Sequence, residues 1–175
     1  MLFDHHTHYT GALPKEFIFR ALTSRQGQLR TPDFVSLINL IAKEERIKDA
    51  GKLTLQDLLD NEVLLKELTT ITRPSTFEHF QNVYRLIQKI TKSPEQEENS
   101  NLLRNGSEAI CSSYIQEGAD GFSIRIGPVE TVEGTIRRIQ NTLEGFSEAK
   151  KMGNKKIISN ITLTFIRDVH GNIHN

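Results

Sequence analysis

Apolar residues recur along this chain at two different periods. The opening Leu2 and Phe3 run into Asp4-His5-His6-Thr7-His8, which reads as a strand closed by the Gly11-Ala-Leu-Pro14 turn, with Pro14 at an early helical position. From there the spacing is helical to about residue 92. One helix runs through about Leu22; a second opens at Thr31-Pro-Asp and carries Phe34, Leu37, Ile38 and Ile41 at intervals of three and four. A third stretch extends from Thr54 and Asp57 through Leu68. Ser75-Thr-Phe-Glu78 has the spacing of a capping box, and Phe80, Val83, Tyr84, Ile87 and Ile90 predict one apolar face on the helix behind it.

The acidic run from Pro94 to Ser100 predicts a solvated loop. A helix with Ile110, Tyr114 and Ile115 comes next and stops at Gly118, a C-terminal cap. Phe122, Ile124 and Ile126 then alternate with Ser123 and Arg125, the period of a strand, until Gly127-Pro128 ends it. Val132, Ile136, Ile139, Leu143 and Phe146 return to the helical period up to Gly153, and a last strand is expected over about Ile157 to Ile166. Strand, helix, strand in that order predicts a right-handed parallel βαβ unit. The expected organisation is a single α/β portion over 1–175, with a helical insertion over 14–92 and the strand-helix-strand unit over 118–167.

Composition narrows the function classes. Twenty-two basic residues balance 22 acidic ones in 175 residues, so no electrostatic footprint for nucleic acid or an anionic membrane is expected. The lone Cys111 excludes an internal disulfide, and no apolar run approaches the roughly 20 residues that span a bilayer. The N-terminus has neither a basic leader segment nor a long apolar one, and a reducing cytoplasm is the expected location.

The residues that carry chemistry are His6 and His8. Residues two apart in a strand share a face, so both imidazoles are placed to reach one ion, at a strand end followed by a glycine turn. That position is the rim at which active sites of (β/α)8 barrels lie, and neutral imidazoles suit zinc, cobalt or iron. His5, on the opposite face, is expected to be structural. No Ser-His-Asp pattern, phosphate-binding glycine loop or cysteine nucleophile is evident.

The run His6-Thr-His8-Tyr-Thr-Gly11-Ala-Leu-Pro14 resembles the opening of the adenosine deaminase family of the amidohydrolase superfamily, whose first strand carries His-x-His-x-x-Gly. Ser75-Thr-Phe-Glu-His-Phe80 and the stretch from Asn105 to Gly118 are similar to later family segments. Phe122-Ser-Ile-Arg125-Ile-Gly-Pro128 resembles the second strand, with Ser123 in place of the usual glutamate, and Thr162-Leu-Thr-Phe-Ile-Arg167 the third. TatD-like nucleases and PHP phosphoesterases open alike, but more than a hundred residues separate His8 from Phe122, which favours the family with a long insertion after strand one.

The resemblance implies a partial (β/α)8 (TIM) barrel of about the first three parallel strands, covering about the first half of the family's domain. It implies zinc held by His6 and His8 and hydrolytic deamination of a purine nucleoside, base or nucleotide. Thr10 and Gly11 would contact that small molecule; Thr10 stands where adenosine-selective members have aspartate, which points away from adenosine itself. The remaining zinc ligands and the proton-shuttling glutamate belong to later strands, so no catalytic residue is assigned in this chain and activity is expected only on completion by those strands. The rival expectation is a noncatalytic remnant acting as a binding or interaction module. Three strands leave open edges, so a homodimer or pairing with a missing C-terminal half is expected.

Overall fold

A computed structural model describes residues 3–71, 75–129, 131–164, 166–167 and 173–174. In chain order the elements are β1 (Phe3–His8), α1 (Tyr9–Ala12), α2 (Lys15–Ser24), α3 (Pro32–Glu44), α4 (Leu55–Asp60), α5 (Glu62–Leu68), α6 (Phe77–Thr91), α7 (Gln96–Gln116), β2 (Gly121–Ile126), α8 (Val132–Gly153), β3 (Ile158–Leu163), β4 (Ile166–Arg167) and β5 (Ile173–His174). They fall into two compact units, Met1–Pro14 with Glu95–Asn175, and Lys15–Pro94.

In the first unit β2 lies between β1 and β3 and is parallel to both. The chain is therefore α/β with three parallel strands in one sheet. Phe122, Ile124 and Ile126, the apolar half of the alternation in β2, are fully buried. Phe122 stacks on Tyr114 of α7 at 4.5 Å between ring centres and meets the ring of Phe146 of α8 edge-on at 5.1 Å. Such aromatic contacts add about 1 kcal/mol each beyond the area they bury.

Small residues set the approach of α7 to α8. Gly106 and Ser107 on one helix and Thr142 and Gly145 on the other are buried. A Cβ built on Gly145 would stand 2.2 Å from the Arg104 carbonyl oxygen and 2.8 Å from the Glu108 nitrogen, so only glycine lets the two backbones come this close. Gly118 takes a positive φ of 78° behind α7, as expected of a C-terminal stop. At the end of α8 that left-handed role falls to Asn154 (φ 44°), one residue after Gly153.

The second unit is helical and closes on its own core, which includes Phe34, Ile38, Ile41, Leu58, Leu65, Leu86 and Ile90. Thr31, Thr54 and Asn61 cap α3, α4 and α5 with their side-chain oxygens. Two polar clamps are buried in it. Arg25 donates from Nη1 to the carbonyls of Lys89 and Ile90, both at 2.7 Å, satisfying carbonyls of the last turn of α6, while Gln28 Oε1 accepts from Nε and Nη2. His79 Nε2 lies 2.6 Å from Glu45 Oε1. Glu44 Oε2 stands 2.5 Å from Nδ1 but makes no hydrogen bond to it.

Five expectations from periodicity change. The stretch from Thr54 to Leu68 is two helices, because Asn61 turns extended to cap the second. The acidic run near residue 96 is not a loop; it begins α7, where Glu97 and Glu98 complement the positive helix end. The cap of α6 is Thr76 rather than Ser75, and its buried face runs through His79, Asn82, Val83, Leu86 and Ile90, leaving Phe80 exposed. On α8 the buried face is Thr142, Gly145, Phe146 and Ala149, with Val132, Ile136 and Leu143 outside. The last strand stops at Leu163, and Ile166–Arg167 pairs antiparallel with Ile173–His174 instead.

Candidate functional site

The carboxyl ends of parallel strands are where ligand sites collect, because the chain there departs into loops that are free to vary. In this sheet that end is marked by one register row: His8 on β1 lies beside Arg125 on β2, and Arg125 beside Thr162 on β3. Residues in one row share a face. It is the polar face, opposite the one on which Phe122, Ile124 and Ile126 are buried, and one step along it Ser123 and Thr162 join hydroxyls at 3.2 Å. Ser123 thus uses its side chain across the sheet. Among the described residues Arg125 has no ion pair, in keeping with serine rather than an acid at position 123.

Sequence alternation alone misses how β1 is built. Asp4 pairs with Phe122 and Thr7 with Ile124, so three residues on β1 span two on β2. The irregularity turns Asp4 and Thr7, which strict alternation sets on opposite faces, toward the same helix. Tyr114 of α7 donates to Asp4 Oδ2 at 2.5 Å, and so does Thr7 Oγ1 at 2.5 Å. Burial, reinforced by the Asp4 carboxylate, pushes the Tyr114 phenol up to about 12. With Thr7 on the helix side, its neighbour His8 is left on the open face beside Arg125. The spacing Asp4-x-x-Thr7 was visible in the sequence, but nothing local pairs it with a tyrosine 107 residues further on.

His8 is exposed and precedes α1 without capping it through its side chain. His6 belongs to β1, and its side chain lies outside the described residues, as does that of His5. Thr10 and Gly11 sit in α1 rather than in a turn; Thr10 is buried, while Gly11 is exposed with open space around its Cβ position. His170 also lies outside the described residues, as do the side chains of Arg167 and His174. The Cys111 thiol is pushed up to about 11 by burial, which leaves it protonated at neutral pH and unsuited to nucleophilic attack.

Among the described residues no three of His, Cys, Asp and Glu come close enough to hold an ion, and a catalytic zinc takes about three protein ligands. Asp4, the carboxylate nearest in sequence, is engaged on the helix side of the sheet by Tyr114 and Thr7. The described donors therefore do not make a complete zinc site. Among these residues, too, no helix is long and apolar enough to cross a membrane.

The fold has a counterpart among solved structures. An adenine deaminase from Arthrobacter aurescens superposes with a TM-score of 0.50 at 13% identity, over 96% of this chain and 40% of its own. The chain thus shares a deaminase-like fold and spans well under half of that neighbour's length. No family model matches it, and no curated protein matches it.

Proposed function

We propose that this chain is the N-terminal segment of a purine deaminase-like hydrolase, lying in the cytoplasm and competent only when further strands complete the barrel. The observation that carries the reading is the row His8, Arg125 and Thr162 at the carboxyl ends of three parallel strands, in a sheet whose fold matches an adenine deaminase over nearly all of this chain. In this reading His6 and His8 are the first of the ligands of a zinc whose other ligands come from outside the described residues. Arg125 keeps a positive charge on the inner face, and Thr10 and Gly11 border the nucleobase pocket from α1. The reaction is hydrolytic loss of ammonia from an adenine-type ring, and the serine at position 123 and threonine at position 10 separate this chain from adenosine-selective enzymes. A second reading, a noncatalytic interaction module, is favoured by the apolar surface left open on α8.

The experiment is zinc titration by calorimetry on the whole chain and on His6→Ala and His8→Ala, followed by ammonia-release assays with adenine, adenosine and AMP. The expected result is weak binding of one zinc, reduced at least about tenfold by either substitution, with no turnover by the chain alone. Zinc binding indifferent to both substitutions would remove the metal centre from this strand. Turnover by the isolated chain that is lost in both variants would retire the noncatalytic reading and the need for completion together.

A further inference from the structure

We infer that the helical unit carries a site for a small oligophosphate, in the groove between the turn that joins α2 to α3 and the last two turns of α6. The groove encloses about 520 Å³, within the range of small-molecule sites. Leu29 and Phe34, both buried, line its base, and Arg25, Arg85, Lys89 and Lys92 stand around it. Among the described residues that line it none is acidic, in a chain whose charges otherwise balance. Its walls all belong to residues 25–94, within the unit that closes on its own core, and no strand edge takes part.

Two of these cations have no task in the fold. The end of α6 is already complete: Gln88 O accepts from Lys92 N at 2.9 Å, and Arg25 Nη1 donates to Lys89 O and Ile90 O. The negative pole of that helix is therefore met without the side chains of Arg85 and Lys89. Both are exposed, and among the described residues neither side chain has an ion pair or a hydrogen bond. They lie four residues apart, so like charges stand one above the other on one helix face. No acid stands three or four residues from either one. A local rule broken without compensation in the fold marks a functional position.

The ligand class follows from the donors. Arg85 offers a planar fork that matches two oxygens of one phosphate, and Lys89 adds a point charge about 6 Å further along the helix axis. Lys92 continues the line beyond the last turn. Cations strung along a groove match the repeated charge of linked phosphates, where a lone carboxylate would meet only one of them. Across the groove Thr31 and Phe34 belong to the start of α3, the positive end of that helix, and Asp33 of the same turn does not line the groove. The site shares no residue with the row His8, Arg125 and Thr162, so failure of the deaminase reading leaves it standing, and the reverse holds too.

The test is calorimetric titration of the whole chain with inorganic tripolyphosphate, which carries no base for a nucleobase pocket, beside orthophosphate, ATP and a glutamate-rich peptide. The expected result is one saturable tripolyphosphate site per chain, at least about tenfold tighter than for orthophosphate and unchanged in His8→Ala. Arg85→Gln with Lys89→Gln should weaken it at least about tenfold. Without ligand the same double variant should melt at or above the wild-type temperature, since it relieves a like-charge pair between exposed side chains. ATP bound at least as tightly as tripolyphosphate would make a nucleotide the source of the phosphates, and ATP bound far more weakly would make it inorganic polyphosphate. No saturable binding up to about 1 mM, binding indifferent to the double variant, a double variant that melts below wild type, or a peptide bound as tightly as tripolyphosphate would overturn the inference.

Discussion

The helical unit and the α/β unit use apolar residues in opposite ways. In the helical unit, α2 to α6 turn their aliphatic faces inward, and two of its buried polar side chains find partners, Arg25 in carbonyls and His79 in Glu45. In the α/β unit Phe146, Tyr114 and their helices cover one face of the sheet, while among the described residues β3 has β2 as its one sheet neighbour and Ile158, Val132, Ile136 and Leu143 are exposed. A helix bundle can end anywhere its stripes are satisfied, whereas a parallel sheet is satisfied only when its edges are met.

Gly145 is the position at which the α/β unit tolerates least change. Gly145→Leu places carbon where the Arg104 carbonyl and the Glu108 nitrogen already stand, so α7 and α8 must separate. The expected loss is about 3 kcal/mol or more, read by urea unfolding, with hydrogen exchange rising first in β2, α7 and α8. Protection lost evenly across α2 to α6 as well would show that the two units do not respond separately.

Glu45→Ala makes the reciprocal break in the helical unit. It leaves the buried His79 Nε2 without its partner at 2.6 Å, and a loss of about 2 kcal/mol is expected, with exchange rising in α3 and α6. An unchanged midpoint would mean that Glu44, already 2.5 Å from the other ring nitrogen, suffices.

Tyr114→Phe is the smallest change and probes the irregularity of β1. Loss of the donor to Asp4 is expected to cost about 1 kcal/mol at neutral pH. The phenol is held up to about 12 in the folded chain against an ordinary value of 10.0, so the unfolded state releases its proton first as pH rises. Stability should therefore be intact below pH 10 and fall between about 10 and 12. Burial raises the Tyr9 phenol as well, so the variant should flatten that fall in part, measured as melting temperature against pH. A slope identical to wild type would assign the fall to Tyr9.

Much of the fold was legible in single residues. Thr31 and Thr54 open helices where their spacing predicted, and Gly118 and Gly153 stand at helix ends. The alternation of Phe122, Ile124 and Ile126 marked β2. The candidate site was less legible. His8 was singled out by its motif, but its neighbours in the row, Arg125 and Thr162, come from strands 117 and 154 residues away, and no local spacing sets their register. On α8 the period predicted a helix and a stripe, yet the buried stripe was the small-residue one, because close approach to α7 through Gly145 selected it.

The order and kind of the main elements follow from local sequence, since caps, glycine stops and the two periods act over a few neighbouring residues. Long-range packing sets which flank of α6 and α8 is buried, how β1 slips so that Asp4 and Thr7 both reach Tyr114, and that His8, Arg125 and Thr162 stand in one row. Those choices depend on the partner that arrives from far along the chain, and its backbone distance, ring positions and register are properties of the assembled sheet and helices alone.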